Sequence, residues 1–237
     1  MYGGYSMIGF FDPTYLLVIL GLIICGAASA YVNRTFSKYN QVRSEKGVTG
    51  TQAAQFILQQ AGIRDVSVQP ISGDLTDNYN AQTKVLSLSS STAESTSVAA
   101  IGVAAHECGH AIQDARHYVP LKLRAALVPA ANIGSTLSFP LILIGVFMGM
   151  NQTLINVGIV LFSLALLFQI VTLPVEFNAS LRAIKILSDG QLLNTEEVPL
   201  VKKVLFAAAM TYVAGALATF LQLLRLLILF GGNRRGD

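Results

Sequence analysis

Three long stretches of the chain carry no charged side chain: 13–33, 125–175 and 204–224. A membrane-spanning helix needs about 20 mainly apolar residues. Thr14–Val32 (TYLLVILGLIICGAASAYV) meets that requirement. No Lys or Arg precedes it and Asp12 lies just before it, so an uncleaved anchor fits better than a signal peptide. The run 125–175 is too long for one span. Asn151, Gln152 and Thr153 divide it into a helical hairpin, Ile133–Met150 and Leu154–Leu173. Pro140 is tolerable there, because neighbouring helices can satisfy the carbonyl it frees. Val204–Leu224 is long enough to span as well, but Arg225 interrupts the apolar run and Arg234 and Arg235 follow. A fourth crossing and a long buried or interfacial helix are equally open readings of this segment.

Between these stretches the pattern shortens. Thr49 and Gln52 have the spacing of a capping box, which predicts a helix over Gln52–Gln60 stopped by Gly62. Asp65–Ile71 (DVSVQPI) and Lys84–Ser89 (KVLSLS) alternate with period two and read as strands. Gly73–Gln82 reads as turns, Ser90–Thr96 as a polar loop, and Ser97–Ala115 as a helix rich in small residues. An exposed edge on Lys84–Ser89 could bind substrate as an added strand; an edge covered by protein is the equal alternative.

Composition agrees with a chain partly in lipid. Apolar residues make up 53%, charged residues 12%, and mean hydropathy is +0.57, against about 25% charge in ordinary soluble domains. Net charge is +3 with no long basic block, so nucleic acid is not an expected partner. Cys25 lies in the first apolar run and Cys108 far from it, so no disulfide is expected. The positive charges set an orientation. Arg34, Lys38, Arg43 and Lys46 follow the first span; Lys122 and Arg124 precede the hairpin, and Arg182 and Lys185 follow it. The positive-inside rule places all of them in the cytoplasm.

Candidate chemistry centres on His106-Glu107-Cys108-Gly109-His110. Residues four apart share one face of a helix, so both imidazoles can reach one Zn²⁺. Glu107 lies about 100° round the helix, where it can take a proton from water rather than ligate the ion. Chance is the competing reading, weakened because two of the chain's three histidines sit in this motif. A catalytic zinc wants a third protein ligand and an open position. His117 is seven residues past His110, without the spacing or the Gly of the metzincin pattern. Asp114 is about 12 Å from His106 along a straight helix. Asp189, in Leu187-Ser188-Asp189-Gly190, weakly echoes the LDG element of site-2-type proteases. Glu176 is the strongest physical choice, an acid directly after a long uncharged run and on the same membrane face as the motif by the topology above. It could instead only mark the membrane boundary. Ser180, one turn on, could hydrogen-bond a ligand or simply pack.

HECGH, LTDNYN with KVLSLS, PLKLRAALVPAANIGS and PVEFNASLRA together resemble the YugP-like bacterial neutral zinc metallopeptidases. More distantly they resemble the membrane gluzincins that include the heat-shock and CAAX-prenyl proteases. The likeness runs from about Arg34 to about Leu229. It implies His106, His110 and Glu176 as ligands of one Zn²⁺ per chain and Glu107 as catalytic base. Where the distant gluzincins carry ExxxD, this chain has Ser180 in the fourth position. Tyr79, Tyr118, Tyr212 and Arg182 remain as polar candidates for stabilising an oxyanion.

The expectation is therefore a mainly α membrane protein: transmembrane helices plus a small cytoplasmic α+β gluzincin-like zinc peptidase domain with an HExxH helix. Its parts are an anchor over 14–32, the metallopeptidase domain over 33–128, and a transmembrane hairpin over 129–174. A cytoplasmic segment with the third ligand follows over 175–203, then the last helix over 204–232. Its expected surroundings are the bacterial cytoplasmic membrane and a peptide or protein substrate, membrane proteins included. Two other readings stay open, a site-2-type intramembrane metalloprotease and a non-catalytic membrane scaffold with a zinc site. In the scaffold, Cys108 would be the fourth ligand, although it points away from the histidine face.

Overall fold

A computed structural model describes residues 12–231; Arg234, Arg235 and the end of the expected last helix at 232 lie outside them. The elements run α1 (Tyr15–Tyr39), α2 (Gly50–Gln60), β1 (Ser67–Ile71), β2 (Asn78–Asn80), β3 (Val85–Ser89), α3 (Ser90–Ala93), α4 (Val98–Ala115), α5 (Val119–Phe147), α6 (Gln152–Asp189) and α7 (Val198–Phe230). Among the described residues, α1, α5, α6 and α7 are long and apolar enough to cross a membrane. Each is longer than its expected apolar segment; α5 and α6 extend through Pro129 and Pro174 into polar flanks, and α5 ends at Phe147, before the expected Met150. The break between α5 and α6 falls at 148–151, so of the expected divider Asn151 lies in it while Gln152 and Thr153 are already helical, and Arg225 does not interrupt α7.

The chain forms two compact units. Among the described residues, the first takes 12–27, Leu127–Ile170 and 213–231. It holds a small apolar core of Ile142, Ile155, Ile159, Phe162 and Leu226. Large apolar side chains such as Leu22, Phe147 and Val160 stay exposed on its helices, as lipid-facing positions would. The Arg225 guanidinium lies 4.2 Å from the centroid of the Tyr15 ring, which offsets part of the cost of a cation on an apolar helix.

The second unit takes Ala28–Ala126 and Val171–Tyr212 and contains the sheet. Helix α2 begins with both hydrogen bonds of the capping box, Gln52 N–H to Thr49 Oγ1 at 3.2 Å and Thr49 N–H to Gln52 Oε1 at 2.9 Å. Gly62, at φ +73°, turns the chain out of it. Strand order is β1-β3-β2, with β1 parallel and β2 antiparallel to β3. Strand β3 is thus central and paired on both sides. Of the two open readings of Lys84–Ser89, this leaves the covered one: β1 and β2 occupy its edges. Leu86 and Leu88 of β3 are fully buried and pack with Ala54 and Ile57 of α2, Ala105 of α4 and Val201 of α7.

Two expected loops are ordered elements, β2 and α3. One carboxylate ties them together: Asp77 accepts hydrogen bonds from the Ser89 N–H at 2.8 Å, the Ser89 hydroxyl at 2.9 Å and the Thr92 hydroxyl at 3.1 Å. The Tyr79 hydroxyl of β2 donates to Asp114 of α4 at 2.8 Å.

Candidate metal centre

Helix α4 starts at Ser97, whose hydroxyl accepts the Ala100 N–H at 3.1 Å. Its small residues let other helices approach closely. At Gly109, an added Cβ would lie 2.4 Å from the carbonyl oxygen of Ala179 on α6. That contact needs a glycine, and it brings the motif against the helix that carries Glu176.

His106 and His110 sit one turn apart with ring centroids 4.8 Å apart and planes at 84°. Glu176 Oε2 lies 3.1 Å from His106 Nε2 and 3.5 Å from His110 Nε2. One donor atom from each of the three residues lies within 4.8 Å of the others. The carboxylate is 2% exposed, and its other oxygen accepts from Arg124 Nη1 at 2.8 Å, so the buried charge is paired.

The far side of each ring is also held. His106 Nδ1 hydrogen-bonds with Ser180 Oγ at 3.1 Å and His110 Nδ1 with Gln113 Oε1 at 3.0 Å. Gln113 orientation follows from its network, since its amide nitrogen donates to Val175 O at 2.8 Å and Asn178 Oδ1 at 3.0 Å. Its oxygen is therefore an acceptor, and His110 Nδ1 must carry the proton. In neutral His110 this leaves the Nε2 lone pair facing a carboxylate oxygen. Two lone pairs 3.5 Å apart repel unless a proton or a cation lies between them. The same demand appears in the titration of His110. Burial works against its charged form, but the Glu176 hydrogen bond and the Glu107 charge outweigh burial and raise its pKa. Two imidazoles and a carboxylate, with both rings hydrogen-bonded from behind, fit a zinc ion.

Glu107 does not join the three donors. It lines a cavity of about 200 Å³ with His106, Glu176, Ser180, Asp77 and Tyr212. Burial pushes its carboxyl above the usual range, against the opposing pull of His106 and His110. Of the four polar candidates for oxyanion stabilisation, Tyr212 lines this cavity. Tyr79 is bound to Asp114, and Arg182 lies 5.8 Å from the Tyr118 ring centroid and donates to Asn178. Asp114 is also taken by Lys84. His117 stands in a left-handed turn after α4, at φ 53°. Asp189 is the last residue of α6, 13 residues past Glu176 and about 20 Å further along the helix axis. The Cys108 thiol points to Ala54 O at 3.6 Å on the other side of α4, and burial drives its pKa well up. Two contributors went unrecognised in the sequence. Gln113, three residues after His110, had a readable signal, because i and i+3 share a helix face. Arg124 had none beyond its positive charge.

Three converging donors beside a cavity that holds a buried carboxylate define a candidate zinc hydrolase centre. Comparison with known proteins agrees. Residues 14–231 match a protein family described as "Putative neutral zinc metallopeptidase", and the chain belongs to that family. It is 43% identical over 219 residues to "Putative membrane protease YugP" of Bacillus subtilis (strain 168), covering 92% of this chain and 96% of that protein. No solved structure matches.

Proposed function

We propose that this chain is a membrane-embedded zinc endopeptidase of gluzincin type. It would cleave peptide bonds at the cytoplasmic face of the bacterial cytoplasmic membrane. One observation carries this reading: Glu176 Oε2 faces both histidine Nε2 atoms at the wall of the cavity that Glu107 also lines. His106, His110 and Glu176 would hold the metal. A zinc ion there supplies Lewis-acid chemistry, lowering the pKa of water to about 7 and polarising a carbonyl.

The chain's own residues do the rest. A Glu107 carboxylate oxygen takes the proton from water as the water attacks the peptide carbonyl, and then passes that proton to the leaving amine. Burial raises its pKa, which favours acceptance of the proton from water. Tyr212, which lines the same cavity and interacts with Glu176, would donate its hydroxyl to the oxygen of the attacked carbonyl. Ser180 and Gln113 orient the rings, and Arg124 holds Glu176. Three donors with an adjoining cavity suit a catalytic site better than a closed four-ligand structural one, and Cys108 faces away. Orientation toward the cytoplasm is supported by Arg34, Lys38, Arg43 and Lys46 after the first apolar segment.

The test is metal analysis and proteolysis on purified protein. Glu107→Gln should keep zinc and lose cleavage, and Glu176→Ala should lose zinc. Full activity in the first variant, or full zinc occupancy in the second, would overturn the assignment.

A further inference from the structure

Next to the metal centre is a second concavity. Phe177, Leu181 and Ile184 of α6 and Leu205, Phe206 and Ala209 of α7 line an open groove of about 370 Å³, closed at one side by Tyr31 of α1. On each helix these positions fall on one face. Leu181 is 64% exposed, Phe206 52% and Tyr31 44%, a large apolar surface left uncovered. Charge enters only through Lys202 and Lys203. Ser180, Leu205 and Ala209 line both this groove and the cavity that holds Glu107. The two spaces therefore share a wall, and Ser180 also contacts the His106 ring.

We infer that the groove receives a large aliphatic or aromatic side chain of the substrate, next to the bond being cut. Lys202 and Lys203 then select a substrate carboxylate further along the peptide. This rests on the peptidase reading above. A peptide whose carbonyl lies beside Glu107 can send a neighbouring side chain across the shared wall of Ser180, Leu205 and Ala209 into a groove lined mainly by apolar side chains. Lys202 stands two turns from Ala209, about 10 Å along the helix axis. That is the length of about three residues of extended chain; from Leu205, on the same shared wall, the distance is shorter, so the preferred acid lies within about three residues of the apolar position.

The test uses the full chain in detergent micelles. A peptide with a benzoylphenylalanine at the apolar position and an aspartate three residues away is photolysed with the zinc-loaded Glu107→Gln protein, and the adducts are mapped by mass spectrometry. Labels should fall within 177–184 and 202–209. In parallel, cleavage is measured with peptides varied at both positions. Wild type should prefer Leu or Phe over Ala by about tenfold in kcat/KM, the scale of one well-buried side chain. Phe206→Ala should reduce that preference through KM. Lys202→Glu should raise KM for acidic peptides several-fold and leave kcat unchanged. Labels elsewhere overturn the inference. So does unchanged selectivity in both variants with cleavage intact, which would leave the groove to a lipid chain. If zinc-loaded wild type cleaves no peptide, the peptidase reading fails, and the photolabel alone decides whether the groove binds peptide.

Discussion

Replacing Gly109 by Ala tests whether the centre depends on how closely α4 approaches α6. The new Cβ would meet Ala179 O at 2.4 Å, its carbonyl carbon at 2.9 Å and its Cα at 3.0 Å. These are backbone atoms of a helix, so no side chain can rotate away. Ordinary contact between such atoms is about 3.5 Å, so the helices must part by about 1 Å. Overpacking of this kind costs about 1–3 kcal/mol, while Ala in place of a helical Gly returns about 1 kcal/mol. The net loss of stability should be only about 0–2 kcal/mol, and the variant should fold. Metal ligands tolerate about 0.2 Å, and His106 and His110 are on α4 while Glu176 is on α6. Zinc affinity should therefore fall by about 10- to 100-fold, the range seen when ligand positioning is lost. Competition against a chelating dye measures that affinity, and thermal melts measure the fold. Gly26→Ala on α1, where an added Cβ meets no atom within 4 Å, is the control and should leave zinc binding unchanged. Wild-type zinc affinity in Gly109→Ala would refute the reasoning.

Gln113→Leu removes the acceptor behind His110 while keeping similar volume, and should weaken zinc about 10- to 100-fold; an unchanged affinity in the dye assay would show that His110 needs no such partner. A pH prediction follows from His110. Its pKa is raised in the metal-free protein, so its protonated form stabilises that state below the unfolded value of about 6.5. This contribution disappears as pH rises through the folded value. The same proton competes with zinc for Nε2. The rise in Tm caused by zinc should therefore be larger at about pH 8 than at about pH 6, read by melts with and without chelator; an equal or larger rise at the lower pH would contradict the assignment. Tyr79→Phe should cost about 1 kcal/mol through the lost bond to Asp114 and leave zinc content and cleavage unchanged; a loss of zinc would mean that the sheet helps to position α4.

Features written in short-range chemistry were legible before any coordinates. The capping box of α2 joins residues three apart, and the histidine pair of α4 depends only on the helical period. The long uncharged runs mark α1, α5, α6 and α7 because lipid-length apolarity needs no partner to be recognised. Glu176 could be nominated from charge alone, as the first acid after such a run. Convergence was another matter. Only folding sets Glu176 Oε2 against both imidazoles, because the approach is made by a backbone contact at Gly109 that no spacing rule encodes. Arg124 neutralises Glu176 across 52 residues of separation, and neither residue type announces its partner. The three-residue strand β2 and the single turn α3 escaped notice for a related reason. Too short to show a period, they are specified by Asp77 and Asp114 reaching across the sequence. Strand β3, readable as a strand, was not readable as the central one, since alternation reports which face is buried and is silent about which edges are paired.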